Sequence, residues 1–149
     1  MTRRAARAVL AAGFVLMIGG LAGCRSNGPT PNEVSDSFTG VLAPLGTNSH
    51  NFTITLTSFS DASITIDTLT SVATGAAQTI TVGVGFGNLN TGTCARLAGL
   101  TNTAAPINVE LATTGLPFAA GTFCVQIFDN PDAPTVTEPL NYKLTVRHY

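Results

Sequence analysis

Tryptophan is missing from this chain, histidine occurs only twice, and charged residues make up 10% of its 149 positions. Each shortage excludes something. Soluble domains carry roughly 25% charged residues. A chain with less than half that fraction has no basic face for nucleic acid and no charged interaction tail, and it is not a charge-driven disordered segment. With 44% hydrophobic residues it can bury enough apolar surface to offset the entropy of ordering, so the composition argues for one folded domain. His50 and His148 leave little for acid–base chemistry. Neither G-x-S-x-G nor H-E-x-x-H occurs, which removes the commonest hydrolase and zinc-protease signatures.

What is present begins with an export signal. Arg3, Arg4 and Arg7 form a basic n-region, and residues 8–23 carry no charge. That run is shorter than the ~20 apolar residues needed to span hydrocarbon. It ends in Leu21-Ala22-Gly23-Cys24, which resembles the lipobox of bacterial lipoproteins. The resemblance implies cleavage before Cys24, a diacylglyceryl thioether on its sulfur, and membrane attachment through acyl chains whose burial contributes ~0.8 kcal/mol per CH₂. The chain then divides into a signal peptide (1–23), a lipidated N-terminus with a flexible tether (24–35) and a domain (36–149). Arg25 stands where an inner-membrane retention Asp occurs in some proteobacteria, which points to the outer membrane or the cell surface. An ordinary secretory signal cleaved after Ala22 or Gly23, with Cys24 incidental, is the competing reading.

Loss of residues 1–23 also changes the charge. Three of the seven Lys/Arg leave with it, and the remaining four face eight Asp/Glu, a formal −4. Such a domain attracts neither phosphate nor anionic lipid headgroups, and nucleic acid drops out as a partner.

Residues 25–35 are polar, with two prolines and a glycine, and read as a tether. Beyond them apolar residues alternate with period two, the signature of half-buried strands. Phe52, Ile54 and Leu56 alternate with threonines. Ile64 and Ile66 follow, then Ile80, Val82, Val84 and Phe86 against a glycine row, then Ile107, Val109 and Leu111. Phe123, Val125 and Ile127 come next, and Leu140, Tyr142, Leu144 and Val146 close the series. With a short strand near Phe38–Leu42 these make seven candidates, joined by turns at Gly46, Gly75, Gly115-Leu-Pro and Asn130-Pro. One-faced strands in this number hide their apolar sides only by stacking two sheets or closing a barrel. The expected fold is all-β, a two-sheet antiparallel sandwich of jelly-roll or immunoglobulin-like type with seven to eight strands.

Phe38-x-Gly40, His50-x-Phe52-x-Ile54, Gly121-Thr-Phe-Cys-Val-Gln-Ile and Leu140-Asn-Tyr-Lys-Leu-Thr-Val resemble the bacterial pre-peptidase C-terminal domain over most of residues 36–148. The resemblance implies a secreted β-sandwich with a role in adhesion, carbohydrate binding or solubility. Where that family often carries an acidic D-x-D-L-type strand, this chain has Gly83-Val-Gly-Phe-Gly87, so no calcium ligand set carries over.

With Cys24 assigned to lipid, Cys94 and Cys124 remain, and an exported pair of this kind is expected to form a disulfide. Because Phe123, Val125 and Ile127 share the core face, Cys124 points outward with Gln126 and Phe128. The disulfide is then expected on the outer face, holding a long Asn88–Pro106 connection against the sheet and covering Phe128. The glycine row is expected to leave room for a neighbouring chain segment. Asp129 and Asp132 supply too few oxygens for calcium, which takes six to eight. Asp61 and Asp67 lie ~20 Å apart on an extended strand, too far for a glycosidase pair. Exposed threonine rows are ordinary solvent-facing strand. Sugar binding would have to use Phe59, Phe118, Phe128 or Tyr149. No cofactor, metal site or catalytic residue is implied. The expected function is that of a non-catalytic, lipid-anchored interaction or structural module, with an envelope protein or a polysaccharide as partner; a surface carbohydrate-binding module is the alternative.

Overall fold

The computed structural model describes residues 32–55, 61–113 and 119–149. The segments expected to be signal peptide and tether lie outside the described residues up to residue 31, Cys24 among them, as do Phe59 and Phe118. The described residues form eight strands: β1 (Val34–Leu42), β2 (Thr47–Ile54), β3 (Ser63–Ser71), β4 (Val82–Asn90), β5 (Thr93–Ala105), β6 (Glu110–Ala112), β7 (Gly121–Phe128) and β8 (Leu140–His148). They make two four-stranded antiparallel sheets, ordered β1-β8-β3-β6 and β2-β7-β4-β5. Every connection except β4 to β5 crosses from one sheet to the other, which is the jelly-roll arrangement.

The period-two pattern places the core between the sheets. In β8, Leu140, Tyr142, Leu144, Val146 and His148 are all buried, while Asn141, Lys143 and Arg147 are exposed. Opposite them stand Phe52 and Ile54 of β2, Val125 and Ile127 of β7, and Val82, Val84 and Phe86 of β4. Phe52 meets Phe86 edge to face at 6.0 Å, a geometry favoured by the ring quadrupoles.

Three stretches depart from simple alternation. The Asn88–Pro106 segment is not a loop: β4 runs on to Asn90, and Thr91 and Gly92, both at positive φ (47° and 82°), turn the chain into the thirteen-residue β5. Positive φ at both central residues is what a type I′ hairpin requires. Strand β5 hides its period because residues 97–100 bulge between the pairs Gly85↔Thr101 and Gly87↔Arg96. Leu97 and Leu100, three apart, both reach the core through that bulge. In β3 a bulge at Asp67 moves the inward face from Ile64 and Ile66 to Leu69 and Ser71.

The expected strand at Ile107–Leu111 shortens to Glu110–Ala112. Ile107 and Leu111 still pack on the core, but Val109 is half exposed, because Asn108, at φ 61°, donates its N–H to Ile66 O and breaks the alternation. At the other end β1 starts at Val34, two residues inside the segment read as tether.

Candidate functional site

Cys94 and Cys124 are disulfide-bonded, with Cα atoms 5.8 Å apart. The register β7 makes with β2 and β4 puts Cys124, Gln126 and Phe128 on the face away from the core, as the alternation predicts. What the bond joins differs from the expectation. It ties β5 to β7, which are separated in the sheet by β4. Alternate strands of a flat sheet lie roughly 9–10 Å apart, so the start of β5 must curl over the outer face of β4. Gln126 Nε2 holds it there by donating to Cys94 O at 2.9 Å.

The glycines of β4 make that curl possible. A Cβ on Gly83 would meet the Phe128 ring at 2.2 Å, one on Gly85 the Thr101 hydroxyl at 2.7 Å, and one on Gly87 the Ala95 carbonyl at 2.7 Å. Phe128 is therefore not covered by the disulfide. It lies over Gly83 beneath the Arg96 guanidinium, 4.0 Å from the ring centroid, and is only 2% exposed. One of the four aromatics that could have stacked on a sugar is thereby removed, and Phe59 and Phe118 fall outside the described residues.

Both histidines turn inward along the side of the sandwich where β1 and β2 are the edge strands. His50 stacks on Phe38 at 4.7 Å, and its Nε2 lies 2.7 Å from the Tyr142 hydroxyl. Burial pushes the His50 imidazole below its ordinary value. It pushes the Tyr142 phenol up, an effect partly opposed by a hydrogen bond from Asn48. His148 packs on Phe52 and is 4% exposed, with Nε2 3.1 Å from Asp36 Oδ2 and a buried Nδ1 that has no partner. The two imidazoles thus occupy separate structural contacts.

Asp129 is likewise structural. Its Oδ2 accepts from Leu45 N–H (3.0 Å) and its Oδ1 from Thr135 and Val136 N–H (2.9 and 3.3 Å). Both oxygens are engaged by the chain itself. They hold the turn centred on Pro44 and Leu45, where Leu45 takes φ 55°, to the β7–β8 connection. Asp132 is exposed.

Asp61 and Asp67 do not share a site. Asp67 accepts from Thr145 Oγ1 at 2.7 Å and faces Lys143 Nζ at 3.6 Å. Asp61 instead lines a cleft of about 260 Å³ on the outer side of the β8-β3-β6 sheet, together with Glu33, Ser63, Glu110, Arg147 and Tyr149. Ser63 is flanked there by Arg147 of β8 and Ala112 of β6. Arg147 Nε is 3.8 Å from Glu33 Oε1. Sequence reasoning missed this cleft because residues 33, 61, 110 and 147 meet only once the sheet is paired. Among the described residues no three His, Cys, Asp or Glu stand close enough to hold a metal ion. Comparison of the chain with protein-family models and with curated proteins finds no match.

Proposed function

We propose that this chain is a lipid-anchored protein of the bacterial envelope whose β-sandwich serves, without catalysis, as an interaction or structural module. The partition of the three cysteines carries the reading. Cys94 and Cys124 are consumed by a disulfide, a bond that persists in oxidising compartments. The odd cysteine, Cys24, is the one that follows Leu21-Ala22-Gly23 behind a basic and then apolar leader. With β1 starting at Val34, residues 25–33 would reach at most about 32 Å at full extension, so the domain would stay near the headgroups.

The test is acylation in a bacterial host. The wild-type chain should take up a fatty-acid label and fractionate with membranes. The Cys24→Ser variant should lose the label and appear unprocessed or released. Membrane attachment and processing that survive this substitution unchanged would overturn the reading.

A further inference from the structure

We propose that the cleft formed by Asp61, Ser63 and Glu110 binds a primary ammonium group carried on a short carbon chain. Charge is the first argument. Three carboxylates, those of Glu33, Asp61 and Glu110, border the cleft against the single guanidinium of Arg147. That guanidinium faces Glu33. Asp61 and Glu110 make no ion pair or hydrogen bond among the described residues, so two negative charges stand uncompensated beside one concavity.

Ser63 is the second and independent argument. It lies on the outward face of β3, between Arg147 and Ala112 in the neighbouring strands, and lines the cleft while only 8% exposed. Its hydroxyl makes no hydrogen bond among the described residues and is not closed off from solvent. The residue as a whole is nearly enclosed, so the access its hydroxyl keeps is toward the cleft, where a ligand atom can reach it.

The donor count then selects the ligand. An ammonium has three N–H donors and no acceptor, and a serine oxygen and two carboxylates are acceptors for all three. Ala62 and Ala112, which also line the cleft, suit a methylene stem. At about 260 Å³ the space falls below the roughly 300 Å³ at which drug-sized sites begin, so it fits one short chain. A bare metal ion fits poorly, because it would need a third acidic, Cys or His ligand, and among the described residues no three such groups stand together. The same ammonium chemistry occurs on a free alkylamine and on a lysine side chain. None of this depends on the lipid anchor.

Ligand-observed NMR on the full chain in neutral detergent micelles, with empty micelles as the blank, tests the assignment. The probes are n-butylammonium, N-acetyl-lysine methylamide and the uncharged 1-butanol. The expected result is saturable binding of one or both amines, several-fold tighter than the alcohol and weakened by salt as a surface charge contact must be. Preference for the lysine derivative identifies a partner's side chain as the natural occupant; preference for butylammonium identifies a free amine. Asp61→Asn with Glu110→Gln should reduce the affinity by about tenfold, and Ser63→Ala by a few-fold, at unchanged thermal midpoint. Amine binding no tighter than that of the alcohol, or amine binding unaffected by these substitutions, overturns the proposal.

Discussion

The sulfur of Cys94 sits over the bare Cα of Gly87, at a position only 2.8 Å from where a Cβ would stand. The disulfide and the missing side chain are therefore one device, and they respond together. Closing a loop of 30 residues is worth roughly 3.5 kcal/mol on the chain-entropy account. Removing both sulfurs in Cys94→Ala/Cys124→Ala should cost about 2–4 kcal/mol in urea unfolding. Gly87→Ala should destabilise the oxidised protein by about 1–3 kcal/mol. In the sulfur-free background the penalty should shrink but not vanish, since the Ala95 carbonyl still blocks the position. Full additivity in that double-mutant cycle would contradict the arrangement.

The His50–Tyr142 contact predicts a stability plateau with two shoulders. Burial lowers the His50 pKa, so the folded chain binds fewer protons there than the unfolded one. Its stabilising contribution is present above pH ~6.5 and is lost as the pH falls through the folded value. For Tyr142, burial raises the pKa. Its contribution is present below pH ~10 and is lost as the pH rises through the folded value. Thermal midpoints measured against pH should show both slopes. His50→Gln should flatten the acid one and Tyr142→Phe the alkaline one.

His148 should be held as the Nε2–H tautomer, since Nε2 faces the Asp36 carboxylate while the buried Nδ1 has no partner. Long-range nitrogen–proton NMR correlations read the tautomer directly, and an Nδ1–H pattern would refute it. Asp36→Ala should cost about 1–3 kcal/mol, because it leaves an unpaired N–H on a buried ring. Asp36→Asn should cost less, because the amide oxygen still accepts.

Asp129 and Leu45 should respond in opposite senses. Asp129→Ala strips three backbone N–H groups of their acceptor and should destabilise by about 2–4 kcal/mol. Leu45 is 67% exposed and sits at φ 55°, where a side chain is strained. Leu45→Gly should therefore be neutral or stabilising by up to about 1 kcal/mol. Chemical denaturation of the two variants checks both.

The sequence made the central strands legible, because β7 and β8 are regular and have a paired neighbour on each side, so every second residue meets the opposite sheet. The glycine row of β4 was also legible, since nothing else explains three small residues alternating with Val82, Val84 and Phe86. Strand β5 was not, because its bulge admits Leu97 and Leu100 to the core out of phase. That Phe128 would be covered was legible too, but the group that covers it was not. That group is Arg96, thirty-two positions away in sequence and brought over the ring by the curl of β5. The acidic cleft gave no local signal at all.

The place of β8 between β1 and β3 bears on when the protein can fold. Val34 pairs with His148 and Leu42 with Leu140, so β1 has no strand partner in its own sheet until β8 has emerged. Topologies built on such distant pairings fold slowly, on the millisecond-to-second scale. Until β8 arrives β1 stays unpaired in its sheet, whereas the strands that carry Cys94 and Cys124 belong to the other sheet and both precede β8. Closure of the β1-β8-β3-β6 sheet is thus a late event that waits on β8.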